Sequence, residues 1–314
     1  MASMSKLERV QAALLGEQAD RPPFCFWHHF RPRGSARALA EATLDFFGRF
    51  DLDIYKVMPD LPYPFPQNGI ARLDDWHLLA PLAAGAGNLG HQIETVRRVR
   101  LALGRDVPLV ATMFSPLTEA FHFAGAERLR AHIAESSATV HGALAVITDN
   151  LARLASGLLD AGADGIFFAE QGAANEALSE AQFAEYGRPY DMEVLRACRE
   201  GWLNVLHLHG EHHLLLKAVI DYPVQVLSWS DRITGVSLRA VREMAPARTL
   251  MGGLDERGAI TTGPAEAIAA ELRDALAQTG GKRHILAPGC SVPDDCPEEW
   301  LRAARAGVEQ LSAR

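Results

Sequence analysis

Eight short apolar runs recur along this chain, separated by longer amphipathic stretches. The runs are Phe24–Trp27, Asp53–Val57, Pro108–Met113, Gly165–Ala169, Asn204–Leu208, Val224–Ser228, Thr249–Gly252 and His284–Ala287. Helical periodicity fills the spaces near 36–49, 90–103, 138–161, 236–244, 264–278 and 297–311. Strand-like runs alternating with amphipathic segments are the pattern of βαβ units and a parallel sheet. Eight in series predict an α/β fold, a single (β/α)8 TIM barrel. A doubly wound sheet is the alternative, but no GxGxxG loop follows an early strand. Ahead of the first run, Ser5 and Glu8 form a capping-box pattern, predicting a helix to about Gly16. Arg21-Pro22-Pro23 then ends it and feeds the first run.

Composition fits that architecture. Of 314 residues, 48% are hydrophobic and 22% charged, as expected of a globular protein with a large core. Barrels of this length form one domain, so 1–314 is read as a single unit. A net charge of −8 and no dense Lys/Arg run argue against a nucleic-acid surface. No stretch approaches the ~18 apolar residues of a membrane span, and Met1–Lys6 lacks an apolar signal core. Cys25, Cys198, Cys290 and Cys296 show no disulfide-framework spacing. The expectation is a cytoplasmic protein with reduced thiols.

In such barrels, chemistry sits at the C-terminal strand ends. In order, those ends carry His28 and His29, Lys56 and Asp60, Met113, Glu170, His207 and His209, Trp229 and Asp231, Asp255, and Cys290. Two insertions belong to the same face, from about Pro59 to Gly87 and from Phe114 to Gly125. They read as pocket walls or lids, or equally as plain surface insertions.

The sharpest reading concerns a metal. Zn²⁺ favours thiolate and imidazole donors, and a catalytic site leaves one position open. His207 and His209 are two apart in a strand, so both side chains face one way. Cys290 from the last strand would complete a three-ligand cage, with Glu170 as a candidate fourth ligand. The alternative stays open on spacing alone, since strand-end histidines often serve as hydrogen-bonding groups and buried cysteines as inert core. His212 and His213 are read onto the following helix.

At this point the residues resemble the uroporphyrinogen decarboxylase superfamily over nearly the whole chain. The likeness is carried by Arg9–Glu17 with Asp20-Arg21-Pro22-Pro23, by Met251-Gly252-Gly253-Leu254-Asp255, by Thr262-Gly263-Pro264, and by Ala287-Pro288-Gly289-Cys290-Ser291-Val292-Pro293. The resemblance implies one barrel with its pocket at the C-terminal strand ends, often in a homodimer. It also implies two chemistries. Members that decarboxylate tetrapyrroles carry an Arg-Gln-Ala-Gly-Arg segment after the first strand and a Gly-His-Gly after the last. Here the first region reads Phe26-Trp27-His28-His29-Phe30-Arg31-Pro32-Arg33-Gly34, where only Arg31 and Arg33 could partly substitute, and the last position is Cys290. Zinc-dependent members move methyl groups between corrinoid proteins and thiols, and carry His-x-Cys-Gly after one strand and Pro-Gly-Cys after the last. His207 and Cys290 match their outer ligands, and His209 replaces their middle cysteine.

The resemblance therefore implies a zinc (or other divalent metal) enzyme. It would activate a thiol for methyl transfer to or from a corrinoid, supplied by a partner protein, or another methyl donor. Its metal ligands would be His207, His209 and Cys290, with Glu170 in reserve. Asp60, Glu170 and Asp231 are the candidate catalytic carboxylates. His28, His29, Lys56, Met113 and Trp229 are the candidate substrate contacts. Asp60 has a turn-capping alternative, and Asp231 one of pairing with Arg232. A tetrapyrrole decarboxylase, a metal-dependent lyase or hydrolase, and a non-catalytic binding barrel are the competing functions.

Overall fold

A computed structural model describes residues 3–30, 35–65, 69–83, 85–173, 178–212 and 214–311. Seven parallel strands form one sheet in strict chain order: β1 Tyr55–Val57, β2 Leu109–Phe114, β3 Gly165–Glu170, β4 Val205–Leu208, β5 Val226–Trp229, β6 Thr249–Leu254 and β7 His284–Pro288. Nearly every strand residue is buried, as a parallel sheet wrapped by helices demands. The fold is α/β and TIM-barrel-like.

The first expected strand is the exception. Around Phe24–Trp27 there is a single parallel bridge, Phe24 to Leu286. Cys25 N–H donates to Leu286 O (3.1 Å) and Leu286 N–H to Pro23 O (2.9 Å), while Asp53 N–H donates to Phe24 O (3.0 Å). The segment thus touches β7 on one side and the approach to β1 on the other. Pro22 and Pro23 have no N–H to donate, which keeps the ladder short. Seven strands, not eight, are formed among the described residues, and each later expected strand is numbered one lower here.

The helices follow their sequence patterns closely. Ser5 caps Lys6–Leu15 with its capping box, and Gly16, at φ 75°, ends it in a left-handed conformation. Helices Ala36–Arg49, Gly87–Leu103, Ser137–Asp160, Leu238–Met244, Ala265–Thr279 and Glu298–Glu309 occupy the predicted stretches. The insertion from Phe114 to Gly125 is a helix, Pro116–Ala124, because Ser115 caps Thr118 N–H and Pro116 sits in the first turn. Much of the Pro59–Gly87 insertion is irregular, with one 3-10 turn, Leu73–Leu78, that buries Trp76.

The N-terminal signature residues turn out to be structural. Asp53, fully buried ahead of β1, bonds Arg9 (2.7 Å) and Arg21 (2.5 Å) and accepts from Phe24 N–H (2.8 Å). Arg9 also pairs with Asp20 at 2.7 Å. This cluster ties the first helix to the N-terminal edge of the sheet, the edge that serves stability in barrels.

Candidate metal centre

β4 places His207 inside the sheet's curve. Its register partner on β5 is Ser228, and the His207 Nδ1 to Ser228 Oγ distance is 3.2 Å. That contact occupies Nδ1 and leaves Nε2 for a ligand, a common way to orient a metal-binding imidazole. The His207 ring packs against Phe167 of β3, centroids 5.2 Å apart, and edge-on to Trp27 at 6.5 Å. His209 lies just beyond β4, its N–H held by Glu170 O at 2.9 Å. Two residues on, its ring faces the same way, 5.9 Å from that of His207. Cys290 follows β7 and brings Sγ to 3.4 Å from His209 Nδ1.

The donor atoms of His207, His209 and Cys290 all lie within 4.8 Å of one another, the one such cluster among the described residues. Burial is graded: His207 is buried, Cys290 half-buried and His209 exposed at the mouth. Two imidazoles and a thiol suit Zn²⁺ or a similar borderline-soft divalent ion. Electrostatics agree with that reading. Burial disfavours the Cys290 thiolate, but hydrogen bonds and charge from His207 and His209 outweigh it and hold the thiol well below its ordinary value. The bond to Cys290 raises His209, whereas burial lowers His207 and favours its neutral, ligating form.

A cavity of about 200 Å³ opens on this cluster. Trp27, His29, Lys56, Phe167 and Gln171 are among its walls. Lys56, 3% exposed, lies over the faces of Trp27 (4.1 Å) and Phe167 (3.7 Å). Burial pulls its amine down to about 7.

The other predicted site residues scatter. His29 lines the cavity, and its Nδ1 meets Asp60 Oδ1 at 2.5 Å. Asp60 also accepts from Phe30 N–H (2.7 Å) and does not itself line the cavity, though its charge acts on Lys56 there. His28 turns away to pack edge-on against Phe30 and tilted against Phe46, and lines a different cavity. Met113 lines a neighbouring, larger cavity of about 320 Å³.

Glu170 is not brought to the cluster. Adjacent strand residues face opposite sides. Ala169 lines the cavity, while the Glu170 carboxylate accepts from Gly172 N–H and from Ala173 N–H (3.1 Å) and meets the carboxyl of Asp191. Trp229 likewise points outward, its Nε1–H bonded to Val236 O at 2.7 Å. Asp231 accepts from Gly253 N–H (2.8 Å) and lies 3.5 Å from Arg232, while burial lifts it to about 7. His212 sits in an exposed bend rather than a helix. His213, Arg31 and Arg33 lie outside the described residues.

Sequence reasoning missed Ser228, which needed the β4–β5 register, and Glu256. The strand-end reading stopped at Asp255, yet Glu256 is the buried acid, bonded to Ser230 Oγ at 2.5 Å.

Fold and cluster together define a class: a TIM-barrel-like α/β protein with a candidate metal centre at the C-terminal edge of its sheet. The chain belongs to the uroporphyrinogen decarboxylase (URO-D) family, whose model matches residues 56–311. Among curated relatives, the methylcobamide:CoM methyltransferase MtaA of Methanosarcina barkeri is 24% identical over 221 residues. That match covers 70% of this chain and 63% of the relative, so the chain matches less than two thirds of that protein. The methylcobamide:CoM methyltransferase MtbA of Methanosarcina acetivorans is 21% identical over 234 residues, 74% of this chain and 67% of the relative. A solved methyltransferase from Methanosarcina mazei superposes with a TM-score of 0.80 at 21% identity, over 99% of this chain and 100% of that one. A B12-independent methionine synthase from Shewanella sp. W3-18-1 superposes at 0.62 and 16% identity, over 92% and 93%. These superpositions establish a shared fold.

Proposed function

We propose that this protein is a metal-dependent methyltransferase that activates a thiol and moves a methyl group to it from a corrinoid donor. The observation that carries this reading is the convergence of His207, His209 and Cys290 donor atoms within 4.8 Å in the lining of a cavity. Zinc or a related divalent ion, held by these three residues, would lower the pKa of a bound thiol and present it as thiolate.

The chain's own groups would do the rest. Ser228 fixes the His207 ring. Trp27 and Phe167 wall the cavity with aromatic surface that limits water near the sulfur. Lys56 is placed to meet an anionic part of the substrate, and Asp60 steadies His29 at the rim. The thiolate sulfur attacks the methyl carbon. A sulfur–carbon bond forms as the donor's bond to that carbon breaks, and the bonding pair stays with the donor. The proton lost when the thiol ionises passes to water or to a cavity base. The donor, a methylcobamide in the relatives' names, would arrive on a partner protein.

Cavity size and lining disfavour tetrapyrrole decarboxylation. About 200 Å³ is small beside the roughly 300–1,000 Å³ of pockets for drug-sized ligands. No arginine is among the described residues lining it, so nothing there gathers several carboxylates in bidentate fashion.

Metal analysis of protein purified in metal-replete buffer, beside Cys290→Ala, tests the centre. About one divalent ion per chain is expected in the wild type and a loss in the variant. A wild type without stoichiometric metal refutes the proposal. With metal present, a methylcobalamin-to-thiol assay separates methyl transfer from hydrolytic chemistry.

A further inference from the structure

The three-residue cluster is short of negative charge. His207 and His209 are neutral donors when they ligate, so Cys290 alone would face a dication. A net positive charge held partly out of water, beside buried His207 and half-buried Cys290, is costly unless an anion answers it. Glu256 is the buried acid beside the cluster, its oxygens outside the 4.8 Å set of the other three donors, so ligation would draw its side chain inward. It stands two residues past β6, 3% exposed. Its Oε1 accepts from Ser230 Oγ at 2.5 Å, while Oε2 is buried with no hydrogen-bond partner. An orphaned carboxylate oxygen in a native interior calls for an explanation, and a missing cation is one.

Its position points the same way. Gly289, the residue before Cys290, has no side chain where one would collide. A Cβ there would lie 2.3 Å from Ser230 Cα and 3.0 Å from Glu256 Oε2. The glycine lets the backbone that carries Cys290 close directly onto the unpartnered oxygen. Burial, with the Cys290 charge beside it, raises the Glu256 carboxyl in the metal-free protein, and the Glu256 charge in turn raises His209. The carboxylate therefore adjoins the cluster from β6, between the β5 end that carries Ser230 and the β7 end that carries Cys290.

We propose that Glu256 is the fourth protein donor to the ion held by His207, His209 and Cys290. With a divalent ion the set of two imidazoles, one thiolate and one carboxylate is electrically neutral. The second thiolate expected at position 209 from the family pattern is thus replaced in charge by a carboxylate from a different strand. Glu256 would also be the ligand that yields to an incoming thiol, since an anion replaces an anion. This inference rests on the metal-centre reading above.

The test compares wild type with Glu256→Gln, Glu256→Asp and Glu256→His. Zn²⁺ affinity is read by chelator competition, the Co²⁺-substituted centre by its visible ligand-field spectrum, and the metal-free proteins by urea unfolding. Glu256→Gln is expected to weaken Zn²⁺ at least about tenfold, the lower end for lost metal-site partners, and to shift the Co²⁺ bands. Glu256→His, which restores a donor atom, is expected to regain part of the affinity. Adding a small thiol to the wild-type Co²⁺ protein should move the bands, and Glu256→Gln should already lack the carboxylate contribution. Unchanged affinity or unshifted bands in Glu256→Gln overturn the proposal, as does a fall in affinity without a band shift. If Glu256→Gln does not fold, Glu256→Asp makes the same comparison with the charge kept and the carboxylate withdrawn by one methylene. A wild type that binds no metal sinks the metal centre itself, whereas metal-binding wild type with an indifferent Glu256→Gln sinks only the role of Glu256.

Discussion

Replacing Lys56 by methionine should stabilise the metal-free protein at neutral and acidic pH. The Lys56 amine is 3% exposed and, among the described contacts, has no carboxylate within ion-pairing distance. Burial lowers it from 10.5 to about 7. At about 1.4 kcal/mol per pKa unit, the fold disfavours the ammonium by about 5 kcal/mol. The faces of Trp27 and Phe167 return about 1–2 kcal/mol by cation–π attraction, leaving about 3–4 kcal/mol. The sign follows from proton counts. Between pH 7 and 10.5 the unfolded chain holds a proton on Lys56 that the folded chain has released, so stability rises with pH in that window. Below pH 7 both states are protonated and the full penalty is present. Urea unfolding of apo wild type and Lys56→Met at pH 6 to 10 measures it. The variant should lead by about 3–4 kcal/mol at pH 6, and the gap should close toward pH 10. A gap that does not change with pH, or a less stable variant at pH 6, refutes the reasoning.

Three other perturbations probe different parts of the molecule. Asp53→Ala leaves Arg9 paired with Asp20 and Arg21 with Glu309 but removes the buried carboxylate they share, and should cost about 1.5–3 kcal/mol in urea unfolding, the range for lost hydrogen bonds to charged groups. Burial raises both Glu170 and Asp191, and the charge of Glu170 raises Asp191 further, so the fold retains a proton that the unfolded chain loses above about pH 4. Glu170→Gln should therefore gain stability relative to wild type as pH rises from 4 toward neutrality, and equal slopes would contradict this. Gly289→Ala forces a Cβ to 2.3 Å from Ser230 Cα, so the backbone under Cys290 must shift; Zn²⁺ affinity should fall by an order of magnitude or more while far-UV circular dichroism is retained.

The sequence by itself determined the order of elements, because periodicity is local. The alternation of short apolar runs with amphipathic stretches located seven strands and the principal helices, and Ser5-x-x-Glu8 located the first cap. It also brought forward His207, His209 and Cys290, since strand parity and strand-end position are properties a sequence carries. What only the tertiary structure decided was pairing between strands. The β4–β5 register sets Ser228, not Trp229, beside His207. The parity of β3 sends Glu170 outward to Asp191 while Ala169 faces the cavity. The chain leaving β6 buries Glu256 against Gly289, a residue 33 positions away along the sequence. Charge and hydrogen-bond complementarity depend on distances of a few ångströms between residues far apart in the chain, and a one-dimensional pattern holds no record of them.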